Sequence, residues 1–376
     1  MLAISRTVLT ALLAALVLAA PAHASRSMEI GLQDDAVFVD QAGIGRSAGF
    51  ERAKQIGVTT IRANMLWSRV SAGKQAAQRK PPATPRYDFA RFDALVNDAR
   101  ARGFGVQLTL TGPAPAWATK GHTVSTRDPS VKQFARWTAT VAKHFKGRVE
   151  RYSVWNEPNW YSWLSPAKTG AAQYRALYLA AYAAIKKADR TAKVIFGELA
   201  PRERPGASVA PLTFIKTVLC VDARWHKRKG CGTVRTDGVS VHPYDYSHAP
   251  TSRAIPAGDV SVGTVGRLTS ALARLKRAKA LLTPAGKQPP VHLTEFAYFA
   301  SGPLALPRTT RARYITQAFS QARANPQVAQ ILYFGLVQNP LIQWDTGLLK
   351  PDGTPDTTFD ALKAWVDRQR ATGRLT

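Results

Sequence analysis

The sequence has few acidic residues, few cysteines and no long hydrophobic stretch beyond its first twenty residues. Only 24 Asp and Glu stand against 52 Lys and Arg, which gives a formal net charge of +28. Two cysteines in 376 residues exclude a cysteine-dense scaffold, and no later run reaches the roughly 18 apolar residues of a transmembrane helix. With 45% hydrophobic residues the chain can still bury a large core, so disordered and fibrous classes are excluded.

The motifs of several common enzyme chemistries are also missing. The sequence contains no Walker phosphate loop, no His-Glu-x-x-His zinc motif and no nucleophile-elbow serine. Its seven histidines are dispersed, and two cysteines without a histidine pair at ligand spacing cannot complete a zinc site. We therefore predict neither a metal nor a cofactor.

The first residues have the features of an export signal. Arg6 precedes an apolar run over residues 8–20, and Ala22-His23-Ala24 is a small-x-small cleavage site. This pattern predicts a signal peptide over residues 1–24, a mature chain over 25–376 without a membrane span, and a secreted or cell-wall-associated protein. An uncleaved membrane anchor is the alternative.

Export bears on the cysteines and on the charge. Cys220 and Cys231 lie eleven positions apart, and in an oxidising compartment we expect them to form one disulfide, with free thiols as the alternative. The basic excess favours contact with polyanions such as an anionic cell-envelope polymer or an acidic glycan, and export argues against nucleic acid. We expect a monomer.

Strand-like apolar runs alternate with helical patterns along the whole mature chain. Strands are predicted at 28–33, 59–63, 106–111, 151–155, 193–197, 238–241, 291–294 and 330–334. Helices are predicted near 50–56, 89–99, 131–145, 174–185, 212–219, 268–282, 311–322 and 359–366. Eight alternating pairs predict a single (β/α)8 barrel, although a doubly wound open sheet gives similar alternation.

Polar residues at the strand ends favour the barrel. The predicted strands end in Arg62, Asn156-Glu157, His242 and Glu295, and catalytic groups of barrels collect at the carboxyl ends of the strands. A dinucleotide-binding open sheet needs a glycine fingerprint after its first strand. The nearest approach, Gly43-Ile44-Gly45, has the wrong spacing.

Two strand-end segments resemble the clan A glycoside hydrolases, which are retaining enzymes on (β/α)8 barrels. Trp155-Asn156-Glu157-Pro158 is similar to the strand-4 motif of the clan, most of all in family 39, with family 5 close to it. Leu293-Thr294-Glu295 is similar to the strand-7 segment. The resemblance implies that Glu157 is the acid/base, that Asn156 contacts the sugar 2-hydroxyl and that Glu295 is the nucleophile.

The chemistry needs both carboxylates. Glycoside cleavage passes through an oxocarbenium-like state, which requires a protonated acid at the leaving oxygen and an anion at the anomeric carbon. The negative charge of Glu295 would keep Glu157 protonated until Glu295 is esterified, after which Glu157 can act as a base. Structural roles as a loop glutamate and an arginine-paired strand-end acid are the alternatives.

Further residues complete the expected site. His242-Pro243-Tyr244 resembles the strand-6 region of the clan, which implies that Tyr244 orients Glu295, and Arg62 resembles the arginine that supports the nucleophile. We expect Glu198 at the end of strand 5 to be structural.

Sugar-binding clefts need flat aromatic walls, and Trp160 follows the Glu157 segment directly. Trp344 is a second candidate platform, although it lies ten residues beyond Phe334, whereas the clan places a tryptophan at or very near the end of strand 8. Ordinary packing is the alternative for both side chains.

These features predict a secreted retaining O-glycoside hydrolase that cleaves a polysaccharide or oligosaccharide by double displacement. Two alternatives remain open from the sequence. One is a catalytically inactive barrel that binds glycans through the same cleft. The other is a cell-wall polyanion-binding protein whose charge is its function.

Overall fold

The computed structural model describes residues 25–246 and 248–376, so the predicted signal peptide at 1–24 lies outside the described residues. Eight parallel strands form a closed barrel in which each strand pairs with the next along the chain. The last strand pairs with the first, with Glu29 opposite Gln330. This closure confirms the (β/α)8 barrel and excludes the doubly wound sheet. The strands β1 to β8 are Glu29–Gln33, Thr60–Leu66, Gly105–Thr111, Arg151–Val154, Lys193–Leu199, Gly238–Val241, Val291–Phe296 and Val328–Phe334.

Eight main helices follow the strands and cover the outside of the barrel. Their amphipathic stripes pack onto the sheet; in the third helix, for example, Phe134, Trp137 and Val141 are fully buried. The helices α1 to α8 are Gly45–Ile56, Ala90–Ala101, Val131–His144, Gly170–Ala188, Pro211–Val218, Val265–Arg277, Arg308–Ala324 and Thr357–Ala371.

The interior of the barrel contains many buried polar side chains, which bond one another. Gln107 donates to the Ser153 hydroxyl at 2.9 Å, and Arg62 donates through Nε to the Thr109 hydroxyl at 3.0 Å. Buried polar groups are costly unless they are paired, so this network fixes the orientation of the side chains that point up the barrel axis.

One helix prediction extends too far. The helix predicted over 268–282 ends at Arg277, and Lys279 adopts a left-handed backbone conformation with φ 51°. Leu281–Leu282 then form a short strand parallel to Val234–Arg235, outside the barrel. The apolar leucines continue the helical pattern in sequence, but the left-handed residue ends the helix before them.

The disulfide prediction is confirmed. Cys220 and Cys231 are bonded to each other, and their Cα atoms lie 6.2 Å apart. No helix within the described residues combines the length and apolar character that a membrane crossing requires.

Candidate active site

The mouth of the barrel brings together the glutamates that follow the fourth and seventh strands. Glu157 lies three residues beyond the end of β4, and Glu295 is the penultimate residue of β7. Both are buried, with 6% and 8% of their surface exposed. The carboxyl ends of parallel strands share one face of the barrel, which is why residues 138 positions apart meet there.

A sharp turn after β4 directs Glu157 into the mouth. Trp155 and Glu157 both adopt left-handed backbone conformations, with φ 66° and 40°. The indole of Trp155 is fully buried, donates to the carbonyl of Trp163 at 2.7 Å and packs edge-on against Phe134. Asn159 locks the end of the turn, since its amide donates to the carbonyls of Ala200 and Val209 at 3.0 and 2.8 Å. Left-handed residues are held only where the surroundings determine them, as these contacts do.

His242, one residue beyond the end of β6, joins three carboxylates. Its Nδ1 lies 3.0 Å from Oε1 of Glu157 and 3.4 Å from Oε2 of Glu295. Its Nε2 lies 2.8 Å from Oε2 of Glu198. The ring is fully buried. Although burial alone would lower it, the carboxylates of Glu295, Glu157 and Glu198 raise the pKa of His242 to about 9. The imidazolium form, with both ring nitrogens donating, fits these contacts.

Arg62 supplies the second positive charge beneath the site. Its Nη1 donates to Oε1 of Glu295 at 2.6 Å and also to Gln33, and its Nη2 lies 2.9 Å from Oε2 of Glu198. The same Nη2 donates to the side-chain carbonyl of Asn156 at 3.1 Å. Arg62 is fully buried, and Glu198 and Glu295 raise its pKa although burial opposes the charge.

Glu198 has a larger place in the site than the sequence suggested. It is fully buried at the end of β5, where it is hydrogen-bonded to His242, accepts a hydrogen bond from the Thr294 hydroxyl at 2.7 Å and forms a salt bridge with Arg62. Burial would raise the pKa of Glu198, but Arg62 and His242 outweigh it and hold the pKa well below its usual range. The sequence feature that pointed to this role was a lone glutamate at the end of a predicted barrel strand, because a buried acid must be paired with positive charge.

Glu157 has the opposite electrostatic environment. Burial raises the pKa of Glu157 above its ordinary value and Glu295 adds to this effect, whereas His242 and Arg62 oppose it. The carboxyl group of Glu157 therefore favours its protonated form, whereas that of Glu198 favours its charged form. A buried carboxyl group that keeps its proton is typical of a general acid.

Tyr244 and the aromatic side chains form the wall of the cleft above Glu157 and Glu295. The Tyr244 hydroxyl donates to Oε2 of Glu295 at 3.1 Å. Trp344 stands edge-on to Tyr244 and Tyr246, with ring centroids 5.7 and 5.5 Å apart. The loop after β8 therefore carries Trp344 back over the mouth despite its distance from the strand end. Trp160, Tyr246 and Trp344 line one pocket with Glu157, together with Arg202 and Arg204, which sequence reasoning did not single out.

A second recess lies on the side of the first two strands. It has a volume of about 320 Å³ and is lined by Asp35, Asn64 and Trp163 among others. Asp35 accepts a hydrogen bond from the Asn64 backbone N–H at 3.2 Å. Burial raises the pKa of Asp35 to about 7, although Arg62 opposes the rise. Sequence reasoning passed over Asp35 because it follows β1 without a distinctive motif.

Within residues 25–246 and 248–376, no group of three or more His, Cys, Asp or Glu side chains is arranged to hold a metal ion. The site as described consists of carboxyl groups, the guanidinium groups of Arg62, Arg202 and Arg204, the imidazole of His242, the amide of Asn156 and aromatic rings.

A closed barrel with two glutamates at the ends of the fourth and seventh strands is the architecture of clan A glycoside hydrolases, and the comparisons with known proteins place the chain in this class. Residues 38–328 match the cellulase family, glycosyl hydrolase family 5. The chain belongs to this family and is an O-glycosyl hydrolase. A comparison with curated proteins gives no match.

Similar solved structures include a family 39 glycoside hydrolase from the gut symbiont Bacteroides cellulosilyticus WH2, with 17% identity and a TM-score of 0.63 over 92% of this chain. This chain spans 64% of the length of that protein. A glucosidase from Croceicoccus marinus has 14% identity and a TM-score of 0.65 over 92% of this chain and 68% of its own. Xylanase 10B from Thermotoga maritima has 15% identity and a TM-score of 0.59 over 92% and 97%. At these identities the likeness concerns the fold.

Proposed function

We propose that the protein is a retaining glycosidase in which Glu157 is the acid/base and Glu295 the nucleophile. The observation that carries the proposal is the convergence of both carboxylates on one nitrogen of His242, at 3.0 and 3.4 Å. The separation of the two nearest oxygens is shorter than these two distances combined. A contact of both carboxyl groups with the same ring nitrogen agrees with the roughly 5–5.5 Å separation of the carboxyl groups in retaining enzymes.

The charges beneath the mouth balance when Glu157 is protonated. Arg62 and protonated His242 provide two positive charges, and Glu198 and Glu295 provide two negative ones. A neutral Glu157 leaves this cluster neutral, which agrees with the raised pKa of its carboxyl group. Glu157 is then ready to donate a proton to the leaving oxygen while Glu295 attacks the anomeric carbon.

The same balance supports the second half of the reaction. Esterification of Glu295 removes one negative charge, so the cluster becomes positive and favours loss of the proton from Glu157. The deprotonated Glu157 then takes a proton from a water molecule, the water oxygen bonds to the anomeric carbon, and the ester bond to Glu295 breaks. The configuration at the anomeric carbon is retained.

Arg62 and Tyr244 hold Glu295 from two sides. Arg62 bonds Oε1 and Tyr244 bonds Oε2, so the rotation of the carboxylate is fixed before substrate arrives. We propose that Asn156, held by Arg62, presents its amide N–H to the sugar ring, and that Trp160 and Trp344 contact the faces of sugar units beside Glu157. The substrate is accordingly a polysaccharide or oligosaccharide, which a secreted or wall-associated enzyme would meet outside the cell.

The test is glycoside cleavage by the protein and by its Glu157→Ala and Glu295→Ala variants. The substrates are cellulose, xylan, polygalacturonate, aryl glucosides and aryl xylosides. The neutral substrates among them are suggested by the family and by the similar folds of a glucosidase and a xylanase. Glu295→Ala should abolish turnover of every substrate. Glu157→Ala should retain cleavage of aryl glycosides with good leaving groups, because these depart without a proton.

Glu203→Ala is the matched control, since Glu203 is an exposed glutamate in the loop after β5. Azide should restore turnover of the Glu157→Ala variant by giving a glycosyl azide of retained configuration, because it can react with the glycosyl-enzyme without a base. An inverted product, or unchanged turnover in Glu295→Ala, contradicts the proposal. Absence of turnover in the unmodified protein, with glycan binding equal in all variants, would instead favour the inactive glycan-binding barrel.

A further inference from the structure

A loop closed by the disulfide lies on the face of the barrel opposite the active site. Helix α5 returns the chain from the mouth to the amino-terminal ends of the strands, and the loop over residues 220–231 follows there, ahead of β6. Its exposed and half-exposed cationic side chains are Arg224, Lys227, Arg228 and Lys229. Its one acid, Asp222, is used within the loop, because Oδ1 accepts from the backbone N–H groups of Arg224 and His226 at 2.9 and 2.8 Å.

Several contacts hold this basic loop in one conformation. The Cys220–Cys231 disulfide closes it. Arg175 of α4 clamps both flanks, since it donates to the carbonyls of Val218 and Gly232 at 2.8 and 3.3 Å. Lys227 donates to the carbonyl of Lys279 at 3.2 Å. The positive charges are therefore held together before any ligand arrives, which lowers the entropic cost of binding one.

A groove adjoins the basic loop and runs along α6. It has a volume of about 720 Å³. Arg267, Ser270 and Arg274 of α6 recur every three or four residues and form one wall. The end of α7, with Gln321 and Asn325, forms the other. No aspartate or glutamate is among the described residues that line the groove.

The cations of this surface are available to a ligand. Arg253 and Arg274 at the groove, and Arg228 and Lys229 on the basic loop, are exposed. Among the described residues, none of these four side chains forms a salt bridge. Arg267 differs, since it donates to the carbonyls of Ile255 and Pro256 at 3.1 and 2.6 Å and so fixes the upper rim of the groove.

Trp225 joins the basic loop to the groove. Lys216 Nζ lies 5.2 Å and Arg274 Cζ 5.8 Å from the centre of its indole ring. These cation–π contacts hold the two charges close to the groove. Stacking of a nucleobase on the indole ring would have to displace these cations.

We propose that the basic loop and the groove form a second carbohydrate-binding surface, which takes an acidic polysaccharide. Arginine side chains that form no salt bridge within the protein can pair with carboxylate or sulfate groups, and a polymer can reach several of them at once. The amides of Gln321 and Asn325 and the hydroxyl of Ser270 can bond sugar hydroxyl groups between the charges. A polysaccharide satisfies both sets of groups, whereas single-stranded nucleic acid binding depends on base stacking, which at Trp225 would displace two cation–π contacts. The surface tethers the enzyme to an acidic matrix and does not depend on the roles of Glu157 and Glu295.

The test compares two triple variants of the full chain that remove equal charge. Arg228→Gln, Lys229→Gln and Arg274→Gln together alter the proposed surface, and Arg190→Gln, Lys146→Gln and Arg368→Gln together alter exposed cations elsewhere. Binding to immobilised polygalacturonate and to heparin is measured at low and at physiological ionic strength. The first triple variant should weaken binding roughly tenfold and flatten its salt dependence, and the second should weaken it no more than about threefold.

Comparison of the two probes distinguishes recognition of carboxylate groups from recognition of sulfate groups, since polygalacturonate carries carboxylates and heparin also carries sulfates. Preserved thermal unfolding midpoints and preserved cleavage of a neutral aryl glycoside would show that both triple variants fold. Equal weakening in the two triple variants overturns the proposal, because binding would then follow net charge alone. Tighter, loop-dependent binding of a single-stranded DNA oligonucleotide than of polygalacturonate would overturn the assignment to polysaccharide.

Discussion

Single residues set the charge of the mouth, and Glu198 is the one whose contribution is least visible in sequence. Its side chain is fully buried and reaches neither the protein surface nor the cleft opening. It nevertheless pairs with Arg62 and His242, the two cations that lie beneath Glu157 and Glu295. Its importance arises from convergence: Arg62 lies in β2, Thr294 lies in β7 and His242 directly follows β6. No local pattern encodes such a meeting, so Glu198 could not be distinguished from a structural acid.

Glu198→Gln should lower the pKa of His242 from about 9, because one of the three carboxylates that raise it becomes neutral. The His242 pKa is measured by NMR titration of the ring, and kcat is measured alongside it. We expect a pKa decrease of about one unit or more and a roughly tenfold fall in kcat, since His242 would no longer hold Glu157 as firmly. Glu203→Gln is the control. An unchanged His242 titration would show that Glu198 does not act through this ring.

The raised pKa of His242 also predicts how stability varies with pH. The folded protein holds this proton up to about pH 9, whereas an unfolded histidine loses it near 6.5. The stabilisation is therefore complete below about pH 6.5 and is lost as pH rises through about 9. The pKa values of Asp35 and Glu157 are also raised, so the part of the pH dependence that reports on His242 is the part that a His242 variant removes.

Between about pH 7 and 9, His242→Gln should show a smaller loss of unfolding free energy than the unmodified protein, by on the order of 2 kcal/mol. Urea unfolding at several pH values measures the difference. His122→Gln, at an exposed histidine, should retain the full pH dependence. Parallel curves for the unmodified protein and His242→Gln would contradict a protonated His242.

Whole elements were more predictable than the site. All eight strands and eight main helices correspond to predicted segments, because the strands of a barrel covered by helices are buried on both faces and appear as short apolar runs. The error at Leu281–Leu282 has the same origin, since two buried leucines extend a helical stripe equally well. Sequence periodicity reports burial, and it does not report where a backbone turns.

The end of β5 shows such a turn. Gly197 has φ 116° and Glu198 has φ 54°, and the pairing of β5 with β6 shifts in register between Phe196 and Leu199. This irregularity rotates the strand so that Glu198 points into the cluster beneath the mouth. A Cβ atom at position 197 would fall on the carbonyl oxygen of Ser240. Only glycine fits both the backbone conformation and the space.

Gly197→Ala should therefore displace the end of β5, destabilise the fold by about 2–4 kcal/mol and lower kcat together with stability. Gly103→Ala is a matched control, because Gly103 also has a positive φ, of 81°, but a Cβ there meets no atom within 4 Å. It should cost only about 1 kcal/mol and leave kcat unchanged. Thermal unfolding and steady-state kinetics measure both variants. Equal effects in the two would mean that the contact with Ser240 is unimportant.

At the scale of the whole molecule, the barrel separates two kinds of chemistry. The carboxyl ends of the strands hold a buried cluster whose charges nearly cancel, whereas the opposite face carries the exposed positive charge of the basic loop. The sequence predicted the net charge and the disulfide. It could not predict that the disulfide confines several cations beside a groove, because Arg253, Arg274 and Gln321 come from distant segments.

This separation predicts that opening the disulfide affects the two faces differently. In the Cys220→Ser, Cys231→Ser double variant, the basic loop loses the bond that closes it, although the clamp of Arg175 remains. We expect a loss of stability of about 2–3 kcal/mol, typical for a bridge that closes a short loop, and weaker binding to polygalacturonate because the cations are no longer held together. Cleavage of a neutral aryl glycoside should be unchanged, since no residue of the loop contacts Glu157 or Glu295. If cleavage falls in parallel with polysaccharide binding below the unfolding temperature of the variant, the two faces are coupled and the barrel does not separate them.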